Sequence, residues 1–247
     1  MNMLRRRMMM GQSGADYSQQ YLTFTVGGNY NCRFKYTVNG LVATTNMQYS
    51  LDDGKTWVAL ASGTDTPEVS IGSSIMWKAD GWTASNSNYI SFSKGSGTSE
   101  GIIVSGNIMS LLYGDNFVGQ TAISNNYQFY YLFNGYATVS DASNLILPAT
   151  TLTQYCYSGM FRNCTSLTTA PKLPAEALVG GCYSSMFYGC SSLHYIKCLA
   201  TNISASGCLS NWVNGVAATG TFVKVASMSS WPSGANGIPS GWTVQNA

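Results

Sequence analysis

The feature that most constrains this chain is a repeat with a period of 26 residues. "CYSGMFRNCTSL" begins at Cys156, and "CYSSMFYGCSSL" begins 26 residues later at Cys182. An altered copy begins at Cys208, and a degenerate one, "YYLFNGY", precedes the others. A repeat of this length is one structural unit that buries its apolar side only by stacking on its neighbours. The sequence therefore predicts three to four stacked units between about residues 115 and 225.

The apolar pattern within each unit predicts one helix followed by one short strand. Leu152, Cys156 and Met160 are spaced four residues apart, which places them on one helical face. Asn163 and Gly189 then stand where each helix would end, and both residue types tolerate the left-handed conformation found there. The segments "SLTTAP" and "SLHYIK" follow as predicted strands.

The cysteines of the repeat occupy positions that require small apolar side chains. Val216 takes the place of Cys164 and Cys190 in the last unit, which neither a metal ligand nor a disulfide partner would tolerate. The chain has seven cysteines and one histidine, without the C-x2–4-C pairs of a zinc site. A disulfide within one unit would have to span two helical turns, about 12 Å. Reduced core thiols are the favoured interpretation, and a disulfide or a metal remains an alternative.

The region before the repeat has the pattern of β structure. Short runs rich in β-branched and aromatic residues alternate with Gly, Asn, Asp and Ser. The runs are "YLTFTV", "CRFKYTV", "MQYSL", "TWVAL", "EVSI", "IMWKA", "YISFS" and "GIIVSG". Several short strands at this spacing predict a small antiparallel β-sandwich over residues 19–108.

One hairpin in this region, "SLDDGKTW", fits the S-x-D-x-G-x-T-W pattern of an Asp-box, a motif known from sialidases. Asp52 can accept amide hydrogens of the turn, Gly54 supplies a positive φ, and Trp57 packs back under the turn. We interpret the motif as structural. A sialidase would carry several copies together with an arginine cluster and catalytic carboxylates, whereas this chain has one copy.

The first 18 residues predict an arm that either is disordered or docks onto a partner. Its anchoring candidates are Arg5, Arg6, Arg7, Met8, Met9 and Met10. The apolar run is too short for a signal peptide, and no segment is long and apolar enough to span a membrane. With 9% charged residues and a net charge of +2, the chain lacks the basic face of a nucleic-acid groove. We therefore expect neither nucleic acid nor membrane as a partner.

The pattern "F-x-x-C-x-x-L", followed by a short strand and "L-P", resembles the BspA-like (Treponema-type) leucine-rich repeat over about residues 130–225. The variant found here, "CYxxMFxxCTSLTTAPxLPA", is similar to hypothetical proteins of gut Bacteroidetes and their phages. The resemblance implies a leucine-rich-repeat-like α/β solenoid that recognises surfaces and performs no catalysis. "C-Y-x-x-M-F" departs from the usual "I-G-x-x-A-F", and the resemblance carries over no ligand residue.

Together these patterns predict an α+β chain in four parts. They are an arm (1–18), a β-sandwich (19–108), a leucine-rich-repeat-like solenoid (109–228) and a C-terminal cap (229–247). The cap would lay Trp231, Pro232, Ile238, Pro239 and Trp242 over the open end of the last unit, since a terminal repeat exposes its core edge.

The composition disfavours an enzyme and favours recognition. Only Asp141 and Glu176 follow Phe117 as carboxylates, at unrelated repeat positions, so the repeats cannot supply a glycosidase pair. The candidate binding residues on the exposed strand face are Thr168, Thr169, Lys172, His194, Tyr195 and Lys197. Their hydroxyl, aromatic and charged groups suit a glycan or protein surface, and equally an inert face.

We expect a non-catalytic phage fibre or decoration protein without cofactor or metal. The arm would hold other virion proteins, the repeats would bind a host surface glycan or protein, and the chain would assemble as a homo-oligomer. A recognition protein without a signal peptide fits a virion, which is released by lysis. The alternative is a bacterial surface adhesin or intracellular interaction protein of the same repeat family, and an Asp-box glycosidase is a remote third.

Overall fold

The computed structural model describes residues 16–42 and 46–247. Within these ranges the chain is mostly β, with one four-residue α-helix, α1 (Ser110–Tyr113), and two short 3-10 turns, Tyr17–Gln19 and Gly114–Asn116. The strands are β1 (Leu22–Val26), β2 (Phe34–Asn39), β3 (Gln48–Ser50), β4 (Val58–Ala59), β5 (Ser74–Lys78), β6 (Tyr89–Lys94), β7 (Ile102–Asn107), β8 (Val139–Ile146), β9 (Tyr195–Cys198), β10 (Thr221–Lys224) and β11 (Thr243–Asn246).

The strands form mixed sheets. The largest has the order β4-β3-β5-β1-β7-β8, antiparallel from β4 to β7 and parallel between β7 and β8. A three-stranded sheet has the order β11-β10-β9, all parallel. Thr169 connects the two sheets, because it forms parallel bridges to Asp141 on one side and to Tyr195 on the other. The antiparallel pair β2–β6 forms a separate layer.

Aromatic side chains of alternating strand residues fill the space between this pair and the large sheet. The ring of Phe24 in β1 lies 5.6 Å from Phe34 in β2 and 5.0 Å from Phe92 in β6. All three side chains are fully buried. The packing is sandwich-like, so the predicted β-rich N-terminal region is confirmed. Of its eight predicted strands, only "EVSI" forms none, and Val69 there makes a single bridge to Cys32.

The predicted α+β class and its α/β leucine-rich-repeat solenoid are wrong, because the described residues are mostly β and the repeat units contain no α-helix. Tyr155, Gly159 and Asn163 have φ angles of 56°, 62° and 59°. A left-handed residue at every fourth position interrupts any right-handed helix. The segment instead forms consecutive turns, closed by bonds such as Ser158 N–H to Tyr155 O at 3.1 Å.

The remaining amide groups of these turns bond to the next unit. Tyr157 N–H donates to Cys182 O at 3.1 Å, and Phe161 N–H donates to Met186 O at 2.9 Å. Alternate N–H groups thus close turns within a unit, while the others form a ladder between units that are 26 residues apart. We call this region, residues 127–136, 155–164, 181–190 and 207–216, the turn ladder. A four-residue turn period gives almost the same apolar spacing as a helix, which explains the wrong prediction.

Both ends of the turn ladder are covered by other parts of the chain. At the first unit, Phe92 N–H of β6 donates to Leu132 O at 2.7 Å. At the last unit, Trp231 stacks on Trp212 with ring centroids 6.0 Å apart. Asn211 N–H there donates to Asn236 Oδ1 at 2.7 Å. Residues of the segment predicted as a cap therefore satisfy amide groups that a further repeat would otherwise bond.

The predicted domain boundary near residue 108 falls between β7 and β8, two strands that pair with each other. The hydrophobic core is likewise one continuous cluster that includes Phe24 of β1 and Phe187 of the repeats. The strands predicted within the repeats are partly present. Tyr195–Cys198 forms β9, whereas "SLTTAP" contributes only the bridges of Thr169.

Candidate recognition surfaces

The seven cysteines are all free and buried. Cys164 donates its thiol hydrogen to Phe133 O at 3.1 Å, and Cys190 does the same to Phe161 O at 2.9 Å. Each thiol therefore satisfies a carbonyl of the preceding unit. Burial raises the pKa of the Cys190 thiol to about 12, so the thiol stays protonated at neutral pH. A protonated, buried thiol is a poor nucleophile and a poor metal ligand.

His194 is the residue that a cysteine nucleophile would need as its base. It is exposed, and its Nδ1 lies 3.0 Å from the carbonyl oxygen of Ser192. The repeat cysteines are buried in the core, whereas the His194 ring is exposed. The described part of the chain also holds no group of three or more His, Cys, Asp or Glu residues suited to a metal ion.

The Asp-box hairpin is a self-contained turn. Asp52 Oδ1 accepts a hydrogen bond from Thr56 N–H at 2.9 Å, Gly54 has a φ of 81°, and Trp57 Nε1 donates to Gly54 O at 3.1 Å. The backbone amide of Thr56, followed by its hydroxyl and that of Ser50, lowers the pKa of Asp52 to about 2. This carboxylate holds the turn together and is already occupied by donors.

The hairpin is anchored by a small polar cluster. Lys78 Nζ lies 4.5 Å from the centre of the Trp57 ring and 2.7 Å from Asp115 Oδ1. Tyr21 also donates its hydroxyl hydrogen to Asp115 at 2.7 Å. Burial, helped by Asp115, raises the pKa of Tyr21 to about 12. The contacts connect the hairpin to the segment after α1, which is a structural role.

The predicted strand face is built around a row of register-paired residues. Thr169 pairs with Tyr195, and Tyr195 pairs in turn with Thr221 of β10 and through it with Thr243 of β11. All four side chains are half-buried or exposed. Thr221 and Thr243 were not among the sequence candidates. Lys197, two residues along β9, belongs to the same strand and is half-buried.

The other predicted binding residues flank this row. His194 N–H donates to Thr168 O at 3.0 Å, which makes the two residues neighbours. Thr168 uses its hydroxyl to donate to Ser140 O at 2.8 Å, so this group serves the backbone. Lys172 is exposed and lies outside the paired strands. The predicted anchoring residues Arg5, Arg6, Arg7, Met8, Met9 and Met10 lie outside the described residues.

A second surface was not predicted from the sequence. Five tyrosines meet at the first two units of the turn ladder, and we call them the tyrosine cluster: Tyr89, Tyr127, Tyr130, Tyr131 and Tyr155. Two pairs stack in parallel, Tyr127 on Tyr155 at 4.8 Å and Tyr130 on Tyr131 at 4.0 Å. Tyr89 meets Tyr130 edge-on at 5.3 Å. Four of the rings are half-buried, and Tyr155 is 38% exposed.

The next unit is shaped to receive two of these rings. A Cβ atom on Gly159 would lie about 2.0 Å from the ring of Tyr131, and one on Gly181 about 2.2 Å from the ring of Tyr155. Any larger residue at either glycine would displace the neighbouring tyrosine ring. The face of the Tyr155 ring therefore lies over Gly181, while Gly159 approaches the edge of the Tyr131 ring.

A sequence signal for the cluster existed. In the column of left-handed positions at 127, 155, 181 and 207, the first two residues are tyrosine and the last two are glycine. Glycine is the usual residue for this conformation, so bulky tyrosines there stand out. The column can be recognised only when the four-residue turn period is known, because a helical interpretation assigns no left-handed conformation to these positions.

No protein-family model, curated protein or solved structure matches this chain. No helix in residues 16–42 and 46–247 has both the length and the apolar character needed to cross a bilayer.

Proposed function

We propose that this chain is a non-catalytic recognition protein, carried on a phage particle, that binds a glycan or protein of the host surface. The observation that carries the proposal is a row across the parallel strands, where the half-buried Thr169, Tyr195 and Thr221 stand in register with the exposed Thr243. Strand pairing holds these hydroxyl and aromatic groups at fixed positions. A fixed array loses little conformational freedom when it binds.

The chemistry of the exposed groups supports binding more than catalysis. Recognition surfaces favour tyrosine and hydrogen-bonding groups, with few charges at their centre. The one Asp-box carboxylate that could suggest a glycosidase, Asp52, holds its own turn. The glycosidase alternative would be supported if the wild type hydrolysed a glycan and the replacement of a single carboxylate abolished that hydrolysis.

The location on a virion is an inference from the sequence. Its support is the resemblance of the repeat segment "CYxxMFxxCTSLTTAPxLPA" to hypothetical proteins of gut Bacteroidetes phages. The arm with Arg5–Arg7 and Met8–Met10 would hold other virion proteins, and the particle would display the chain as a homo-oligomer. The alternative is an adhesin or interaction protein of the bacterium itself.

Binding to whole cells tests the proposed function. Fluorescently labelled chain is incubated with a panel of gut Bacteroidetes strains and bound label is counted by flow cytometry. We expect saturable binding to some strains, reduced about tenfold or more when His194 and Tyr195 are both replaced by Ala. Tyr30→Ala is the matched control, because Tyr30 is a tyrosine of the N-terminal region that is 52% exposed.

Each outcome of this experiment has a separate meaning. If the labelled chain bound to none of the strains, the result would contradict the proposed function. Binding that is unchanged in the His194 and Tyr195 double variant would show that the strand face is not the site, although the chain still recognises cells.

A further inference from the structure

We propose that the tyrosine cluster is a second binding surface and that its ligand is a protein of the host surface. The inference rests on the proposed function, since it names the class of one ligand. It does not depend on the strand face, because the cluster belongs to β6 and the turn ladder. Four observations on the cluster and its surroundings support it.

The first observation is that both faces of the Tyr155 ring are covered although the side chain stays partly exposed. Tyr155 lies between Tyr127 on one side and Gly181 on the other, yet it stays 38% exposed. Tyr131 stacks on Tyr130, whereas Gly159 approaches the edge of the Tyr131 ring. A sugar ring stacks on an open aromatic face, and both faces of Tyr155 are occupied. Protein surfaces can use the exposed edges and hydroxyl groups, which is how tyrosine serves protein interfaces.

The second observation is the composition of the neighbouring turns. Further along the turn ladder, the positions that follow Tyr130 and Tyr131 by repeat register are Ser184, Ser185, Ser210 and Asn211, all half-buried or exposed. Rigid tyrosines beside serine, glycine and asparagine are the composition of antibody binding surfaces. There the aromatic rings supply contact area and the small polar residues supply adaptable hydrogen bonds.

The third observation is backbone strain that the fold does not require. Tyr127, Tyr131 and Tyr155 have φ angles of 58°, 56° and 56°, a region that disfavours bulky side chains. Equivalent turns in later units use Gly181 and Gly207 for the same conformation. Since glycine builds the turn with less strain, the tyrosine side chains serve another purpose. Strained residues cluster at functional sites for this reason.

The fourth observation concerns charge. Arg162 Nη1 donates to the Tyr131 hydroxyl at 2.9 Å, and its guanidinium lies 4.9 Å from the centre of the Tyr188 ring. Arg162 places a positive charge beside the cluster, since its guanidinium lies 5.9 Å from the centre of the Tyr131 ring. A partner that is neutral or carries a carboxylate or carbonyl opposite Arg162 therefore complements this surface.

The test removes two rings while keeping the turns. In the double variant Tyr127→Gly and Tyr155→Gly, glycine adopts the left-handed conformation that these positions require. We expect this variant to fold and to keep its unfolding midpoint close to that of the wild type. Its apparent Kd for a responsive strain should rise about tenfold or more, because central tyrosines are frequent binding hot spots. Tyr30→Ala again serves as the control.

Treatment of the cells identifies the ligand class. Cells are digested with proteinase K or oxidised with periodate before the full chain is added. We expect the component of binding that depends on Tyr127 and Tyr155 to disappear after proteolysis and to survive periodate. Survival of that component after proteolysis and its loss with periodate would show that the cluster binds a glycan and overturn the inference.

Two further outcomes separate this inference from the proposed function. If the wild type binds cells and the folded double glycine variant binds equally well, the cluster is not a binding surface, while the recognition function stands. If the wild type binds no cells at all, both proposals fall.

Discussion

Gly159 shows at residue scale how the turn ladder depends on single positions. Its φ of 62° requires glycine-like freedom, and the ring of Tyr131 occupies the space where a Cβ atom would lie. We expect Gly159→Ala to lower the free energy of unfolding by about 2–4 kcal/mol, since strain and overpacking add. Urea unfolding followed by fluorescence measures it.

Gly207 offers a matched control for this substitution. It has nearly the same φ, 65°, but nothing lies within 4 Å of a Cβ atom built there. Gly207→Ala should therefore lose only the conformational part, about 1 kcal/mol. Equal losses in the two variants would contradict the placement of the Tyr131 ring.

Asp52 predicts a pH effect with a definite sign. Its pKa is lowered to about 2 by the amide and hydroxyl of Thr56, so the ionised form is favoured in the folded state. The stability it contributes is fully present above the pKa of an unfolded aspartate, about 3.9, and is lost as the pH falls toward 2. In the Asp52→Asn variant, the free energy of unfolding should therefore fall less steeply than in the wild type as the pH is lowered from about 4 to 2. The same slope in both proteins, measured by thermal unfolding across that range, would contradict this.

Residue roles with local partners could be predicted from the sequence. The hydrogen bonds of the Asp-box turn join residues from Ser50 to Trp57 only. The geometry of the turn could therefore be predicted from the motif alone. The apolar character of the cysteine positions followed from Val216 in the last unit. The tyrosine cluster could not be predicted in this way, because its stacked pairs join residues of different units.

At the element scale, the unit of this fold is a run of turns whose spare amides bond to the next run. The sequence pattern could not distinguish it from a helix, since apolar residues at four-residue steps satisfy both. The distinguishing signal is Gly or Asn at successive four-residue positions, as at Gly159 and Asn163, with Gly181 and Gly189 eight residues apart in the next unit. A helix would use such a residue once, at its end.

Spectroscopy tests this correction directly. We expect the far-ultraviolet circular dichroism of the chain to lack the strong negative bands of α-helix at about 208 and 222 nm, because α1 has only four residues. In NMR spectra, the Cα shifts of Tyr155, Gly159 and Asn163 should indicate positive φ. Continuous helical Cα shifts from Leu152 to Phe161 would contradict the turn ladder.

At the scale of the whole molecule, one column of aromatic rings runs through the repeats to the C-terminal segment. Phe92 is 6.0 Å from Phe133, which is 5.1 Å from Phe161, and Trp231 ends the column on Trp212. The repeat period predicted the stacking of the units. It did not predict their junction with the N-terminal sheets, which depends on the pairing of β7 with β8.

The shared core predicts cooperative unfolding. We expect one transition in calorimetry, with equal calorimetric and van't Hoff enthalpies. Trp231→Ala should lower the free energy of unfolding by about 2–4 kcal/mol and keep the single transition, because the column couples the last unit to the rest. Two separate transitions in the wild type would show that the repeats and the N-terminal sheets unfold independently.

The central proposal is that a phage particle carries this chain as a recognition protein. Immunogold labelling of purified particles and of cell envelopes from the same lysed culture tests it most directly. We expect gold on the particles, and the same antibody should label the surface of host cells only after purified chain is added. Gold on the envelopes with none on the particles would contradict the claim and assign the chain to the bacterial surface.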